Sequence, residues 1–164
     1  MNILLPVDGS PRSLEAVRHA LRLVQDGLKA SFVLANVQEP SSLYEMMVVH
    51  DTEALRRMAI EAGEHAVAEA DKLLTDADIE HTTEIVSGDP AHRLLDLIGE
   101  EQCDLVIMGA HGEGESGAAL GAVAHALLKS SPVPVMIVRP AEESPMGDDT
   151  ANPSDEAGAG GERQ

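Results

Sequence analysis

The chain has 164 residues, 43% of them apolar, which is enough for a single domain with its own hydrophobic core. It carries 29 acidic side chains against 11 lysines and arginines, a formal net charge of −18, and its aromatic residues are one Phe and one Tyr with no Trp. A surface of that sign repels phosphate backbones and anionic lipid, and the lack of rings removes the stacking platforms of single-stranded nucleic-acid grooves.

Short β-branched runs alternate with amphipathic stretches along the chain. Asn2 to Pro6 reads as a buried strand, followed by Asp8-Gly9-Ser10-Pro11, where Ser10 can cap a helix and Pro11 suits its first turn. Leu14, Val17, Leu21 and Val24 then share one helical face, and Asp26-Gly27 ends it. Ser31 to Val37 is a second strand. Gln38 to His50 is a longer connection holding the Met46-Met47-Val48-Val49 patch. A long helix is expected from about Asp51 to Ala77, with Leu55, Met58, Ala62, Ala66, Ala70 and Leu73 as its inward stripe.

Glu80 to Val86 reads as the third strand. Ser87-Gly88-Asp89-Pro90 is a turn and helix start capped by Asp89, with Leu94, Leu95 and Ile98 facing inward. Leu105 to Met108 is wholly apolar, as strands of a parallel sheet covered on both faces are. A glycine-rich stretch from Gly109 to Gly121 runs into a helix ending near Lys129, and Val133 to Val138 is the fifth strand. Prolines at 132, 134 and 140 mark that strand as an edge.

Strand and helix alternating in this way define an α/β doubly wound parallel sheet, expected over residues 1–140. Beyond it, residues 141–164 turn to Gly, Ala, Pro, Ser and acid, and are expected to be a disordered tail. That tail holds seven of the acids, so the body keeps about two thirds of the net charge. With three lysines in the chain, such a surface suits concentrated salt or simply an acidic cytosolic protein, and both readings stay open. The single cysteine, Cys103, cannot form an internal disulfide and fits a reducing compartment. No run approaches the roughly 18 apolar residues of a membrane span. The opening Ile3 to Val7 run meets Asp8 too soon for a signal peptide, so a cytoplasmic location is expected.

Ligands of such sheets bind at the carboxyl ends of the strands where the strand order reverses. Two segments qualify, the turn Pro6-Val7-Asp8-Gly9-Ser10 and the glycine loop after the fourth strand. Glycines placed between a strand and a helix let backbone N–H groups approach a phosphate, although a plain small-residue turn has the same composition. Gly112-x-Gly114-x-x-Gly117 matches the dinucleotide fingerprint by letter but follows the fourth strand instead of the first, and no Walker lysine accompanies it. Ser116 lies too far past Met108 for a nucleophile elbow. The seven histidines share no ligand spacing with acids or Cys103, and His111, the one inside the loop, reads as packing. No catalytic constellation or metal site emerges.

Together these motifs resemble the universal stress protein family over about residues 1 to 140. The resemblance rests on Pro6-Val7-Asp8-Gly9-Ser10, Gly88-Asp89-Pro90, Met108-Gly109-Ala110-His111-Gly112 with a later glycine, and Ser131-Pro132-Val133-Pro134-Val135. It implies the adenine-nucleotide α-hydrolase-like sheet with strand order 3-2-1-4-5, and a cytoplasmic homodimer joined through the last strand, Val133 to Val138. It also implies a regulatory protein that binds ATP with Mg²⁺ between strands one and four; the sequence names no base or nucleophile, so no enzyme is expected, with weak ATP hydrolysis left open as a third option. Asp8 and Val37 would lie near adenine and ribose, Gly109, Gly112 and Gly121 would line the phosphates, and Pro6, Met108, Ala122 and Val123 complete the implied binding set.

The chain departs from the ATP-binding pattern in its loop. Two residues separate Gly109 from Gly112, but eight instead of nine precede Gly121, and the Ser or Thr expected next is Ala122. Glu113 stands where the family often has a base, with Glu115 close behind, and each carboxylate would oppose a phosphate by about 1 kcal/mol when solvated. The alternative is therefore a stress or accessory protein that acts without nucleotide, through dimerisation and protein partners.

Overall fold

The computed structural model describes residues 1–39, 52–112 and 120–139. In chain order the elements are β1 (Asn2–Pro6), α1 (Pro11–Gln25), β2 (Ser31–Gln38), α2 (Thr52–Asp76) and β3 (His81–Ser87). They continue with α3 (Pro90–Glu100), β4 (Leu105–Gly109), α4 (Ala122–Ser130) and β5 (Val135–Val138). All pairings are parallel and the order is β3-β2-β1-β4-β5, as the motifs imply.

The two-residue alternation of the central strands sorts the core into two layers. Ile3 and Leu5 of β1, Phe32 and Leu34 of β2 and Ile107 of β4 point to one face, where α1 (Leu14, Val17, Ala20) and α2 (Val67, Ala70, Leu74) cover them. Leu4, Val33, Ala35, Val106 and Met108 point to the other, under α3 (Leu94, Leu97, Ile98) and α4 (Ala124, Leu127). The edges are thinner: Thr82 and Thr83 of β3 are exposed, and only Val138 of β5 is buried.

The helix starts form as their sequences dictate. Ser10 caps α1 by accepting a 3.2 Å bond from the Ser13 N–H, and Pro11 opens the first turn. Asp89 caps α3 by accepting from the His92 N–H at 2.9 Å, and that bond holds its carboxyl below the usual carboxylate range. The helix ends do not follow the glycine rule everywhere. Asp78 after α2 and Gln102 after α3 take positive φ, 55° and 51°, so that Ile79 and Cys103 donate back to the Leu74 and Ile98 carbonyls.

Three expectations are corrected. The buried stripe of α2 runs through Gly63, Val67, Ala70 and Leu74, while Met58 and Ala62 are exposed. The alanine-rich sequence admits several apolar faces. The helix turns the one bearing Gly63 to the sheet because a Cβ there would collide with Ile85 Cγ2 and approach Asn36 Oδ1 to 3.1 Å. In α3 the inward set includes Leu97 as well as Leu94 and Ile98, with Leu95 half-buried against the same layer. β5 begins at Val135, not Val133, since Val133 is tied into a turn by its N–H and carbonyl to the Ser131 hydroxyl. The Met46-Met47-Val48-Val49 patch and the expected tail, 141–164, lie outside the described residues.

Cys103 leads into β4 and is 6% exposed. Burial, with Glu101 and Asp104 nearby, pushes its thiol up to about 11. The folded chain therefore holds this proton more tightly than the unfolded one, so the stability it contributes is intact below about pH 9 and is lost as pH rises toward 11. We expect thermal melting to fall over that window, and the fall to shrink in Cys103→Ala. A pH slope identical in both proteins would contradict the assignment.

Candidate functional site

The strand order reverses between β1 and β4: the chain winds outward from β1 through β2 and β3, then crosses back to β4 and β5. At the carboxyl ends of these central strands lies a cleft of about 410 Å³. All nine residues named from the sequence line it. Pro6 and Asp8 come from the end of β1 and the turn beyond, and Val37 from β2. Met108, Gly109 and Gly112 come from β4 and its loop, and Gly121, Ala122 and Val123 from the start of α4.

Asp8 joins the two walls. Its Oδ1 accepts the Ser10 N–H at 3.0 Å, and its backbone N–H reaches the Ser13 hydroxyl at 3.4 Å, which anchors the carboxylate in the helix-start turn. A Cβ on Gly112 would sit 3.1 Å from Asp8 Oδ2, so the glycine loop passes directly against this carboxylate. One residue before the capping turn, Gly9 has a φ of +82° and packs on the α2 backbone at Ala66, a conformation and a fit that both disfavour a side chain.

The opposite wall is equally bare. A Cβ on Gly109 would lie 3.1 Å from the Arg12 carbonyl oxygen, so β4 presents backbone, not side chain, where it passes α1. The Gly121 N–H donates to the Ala110 carbonyl at 2.9 Å, which brings the far end of the loop back beside β4. Gly121 stands at the N-cap of α4, and the first residues of that helix, Ala122 to Ala124, line the cleft. Glu113 to Ala119, including Ser116 and the acids Glu113 and Glu115, lie outside the described residues.

Sequence reasoning missed several positions. Asn36, 2% exposed within the apolar β2 run, donates to the Val7 carbonyl at 2.8 Å and accepts from Gln38 at 2.6 Å, holding the chain immediately before Asp8. A lone polar residue inside Ser31 to Val37 was the available signal. Glu39 lines the cleft two residues beyond Val37, on the same side by the strand period, and Pro90 and Leu94 enter from α3. His111 also lines the cleft. Among the described residues no group of three or more His, Cys, Asp or Glu could hold a metal ion, and no helix is long and apolar enough to cross a membrane.

A doubly wound parallel sheet places its ligand crevice at the carboxyl ends of the strands where the order reverses, which is where this cleft lies. Residues 1–139 match the universal stress protein family, and the chain belongs to it. Universal stress protein MJ0531 of Methanocaldococcus jannaschii is 28% identical over 138 residues, covering 84% of this chain and 81% of that protein. Among solved structures, the hypothetical protein MJ0577 matches with a TM-score of 0.72 at 25% identity, over 85% of this chain and 96% of that one. A universal stress protein solved in complex with cAMP matches with a TM-score of 0.59 at 24% identity, again over 85% and 96%.

Proposed function

We propose that this protein is a cytoplasmic regulatory member of its family that binds an adenine nucleotide in the cleft between β1 and β4, ATP with Mg²⁺ being the ligand the loop motif implies. The observation that carries this reading is the convergence of Asp8, Val37 and the three glycines 109, 112 and 121 on one cleft. The residues present fit such a ligand: Gly109, Gly112 and Gly121 line the cleft without side chains, which lets a phosphate come close to the backbone. Asp8 and Val37 would take the nucleoside and the glycine segments the phosphates. The solved neighbour in complex with cAMP supports the choice of an adenosine ligand. Residues 1–140 are the binding unit in this reading, and 141–164 an appended tail.

Calorimetric titration with Mg-ATP and AMP at low and molar salt tests it. We expect micromolar binding of at least one of them and a loss of tenfold or more in Asp8→Ala; silence at both salts removes the nucleotide reading.

A second reading, action through dimerisation and partners without nucleotide, is favoured by one observation. Ala122 offers a methyl where the family's phosphate-contacting hydroxyl would stand. Either way β5 is a sheet edge with Val135, Met136 and Ile137 only half-buried, and an apolar edge of this kind favours pairing with a second copy. Light scattering at micromolar concentration should return the dimer mass; a clean monomer would refute pairing through this edge.

A further inference from the structure

Asn36 lies behind the cleft, not in its lining. It is 2% exposed near the end of β2, and the residues before it from Phe32 to Ala35 are all apolar and buried. An amide in such a place costs free energy unless its donor and its acceptor both find partners. Strand alternation turns Asn36 to the α2 side of the sheet with Phe32 and Leu34, whereas Ala35 and Val37 line the cleft. Gly63 of α2 approaches it from that side, where an added Cβ would stand 3.1 Å from Asn36 Oδ1.

The bonds of this amide run to the rim of the cleft. The parallel register of β1 with β2 ends at Pro6 and Ala35, so Val7 lies one residue past it. The Val7 N–H still donates to the Ala35 carbonyl at 2.8 Å, and the Val7 carbonyl accepts from Asn36 Nδ2 at 2.8 Å. That carbonyl belongs to the Val7–Asp8 peptide, whose N–H donates to the Ser13 hydroxyl at 3.4 Å. One planar unit is thus held at both ends, and it sets where the Cα of Asp8 stands. A carbonyl only accepts, so the nitrogen of the Asn36 amide must face Val7. Gln38 fixes the other end by donating to Asn36 Oδ1 at 2.6 Å. The Gln38 carbonyl in turn accepts the Gly88 N–H at 3.0 Å, in the turn that leads to Pro90 on the α3 wall.

We propose that Asn36 is a positioning residue for the cleft: its N–H donor holds the Val7–Asp8 peptide and so places Asp8 for the ligand. This rests on the nucleotide reading above and adds a determinant of affinity outside the lining residues. The donor is what the role requires, and two substitutions of the same branching separate it from size. Asn36→Asp turns an acceptor toward the Val7 carbonyl; the protonated acid regains the donor, and burial favours that form. Asn36→Leu has no donor at any pH.

The test is calorimetric titration of the full chain and both variants with AMP and with Mg-ATP, each variant against wild type at the same pH. Expected for Asn36→Asp is binding about tenfold or more weaker near pH 8, recovering to within about threefold of wild type near pH 5.5. Asn36→Leu should stay several-fold weaker at both, and it carries the comparison if the charge unfolds Asn36→Asp at the higher pH. Amide hydrogen exchange in the unliganded variants should quicken at Val7 and Asp8 and stay unchanged along β4. Variants that bind within about twofold of a wild type that itself binds overturn this inference and leave the nucleotide reading standing. So does a loss in Asn36→Asp that fails to recover in acid, or exchange that quickens equally along β4, since either marks a general loosening of the fold. A wild type silent with both ligands overturns the nucleotide reading and this inference with it.

Discussion

Replacing Gly63 with Ala should destabilise this protein, although the same exchange in the middle of a solvent-facing helix stabilises one. The added methyl would collide with Ile85 Cγ2 and press toward Asn36 Oδ1. Ile85 is β-branched and held in β3, so relief requires α2 to move off the sheet. Overpacking of this kind costs about 1–3 kcal/mol, against roughly 0.5–1 kcal/mol recovered from helix propensity. The net expected loss is up to about 2.5 kcal/mol. Gly99 provides the internal comparison: it lies in the last turn of α3 with nothing within 4 Å of where its Cβ would be. There Ala should raise stability by up to about 1 kcal/mol. Denaturant midpoints of the two variants should therefore move in opposite directions; movement in the same direction would refute the packing of α2 described here.

Leu127→Ala should have the larger effect. Leu127 is fully buried in α4 and packs in the layer formed with Leu4, Val106 and Leu97 on the second face of the sheet. Truncating such a residue costs about 2–5 kcal/mol, partly the lost transfer energy and partly the cavity left behind. At roughly 2–4 °C per kcal/mol for a chain of this size, the melting temperature should fall by about 4–20 °C. The consequence reaches the cleft, because Leu127 seats the helix whose first residues, Ala122 to Ala124, form one wall. Leu34→Ala, on the opposite layer under α1 and α2, should destabilise comparably without loosening that wall. The two losses should add to within about 0.5 kcal/mol because the sites share no partners. A strongly non-additive double variant would show that the two layers are coupled through the sheet.

Much of this molecule was legible before any coordinates. Each strand and helix expected from the sequence is present, most of them to within one or two residues, because buried parallel strands such as Leu105 to Met108 are continuous apolar runs and the helix starts carry explicit caps in Ser10 and Asp89. The cleft's lining was legible for a related reason. Its walls are made of glycines and strand-end residues whose places in the chain follow from where strands stop and helices begin, and all nine line the cleft.

What the sequence by itself determined, then, was the order and type of the elements, their caps, and the part of the chain that faces the reversal point of the sheet. Those are properties of local backbone preference and of spacing along one strand or helix. The tertiary structure decided which face of α2 turns inward, since its many alanines leave the choice to the fit of Gly63 between Ile85 and Asn36. It also decided that Asn36 secures the chain before Asp8 and that Glu39 brings a second carboxylate to the cleft. Both depend on contacts between residues far apart in the chain, and periodicity within a single element carries no record of which partner a side chain will meet across the sheet.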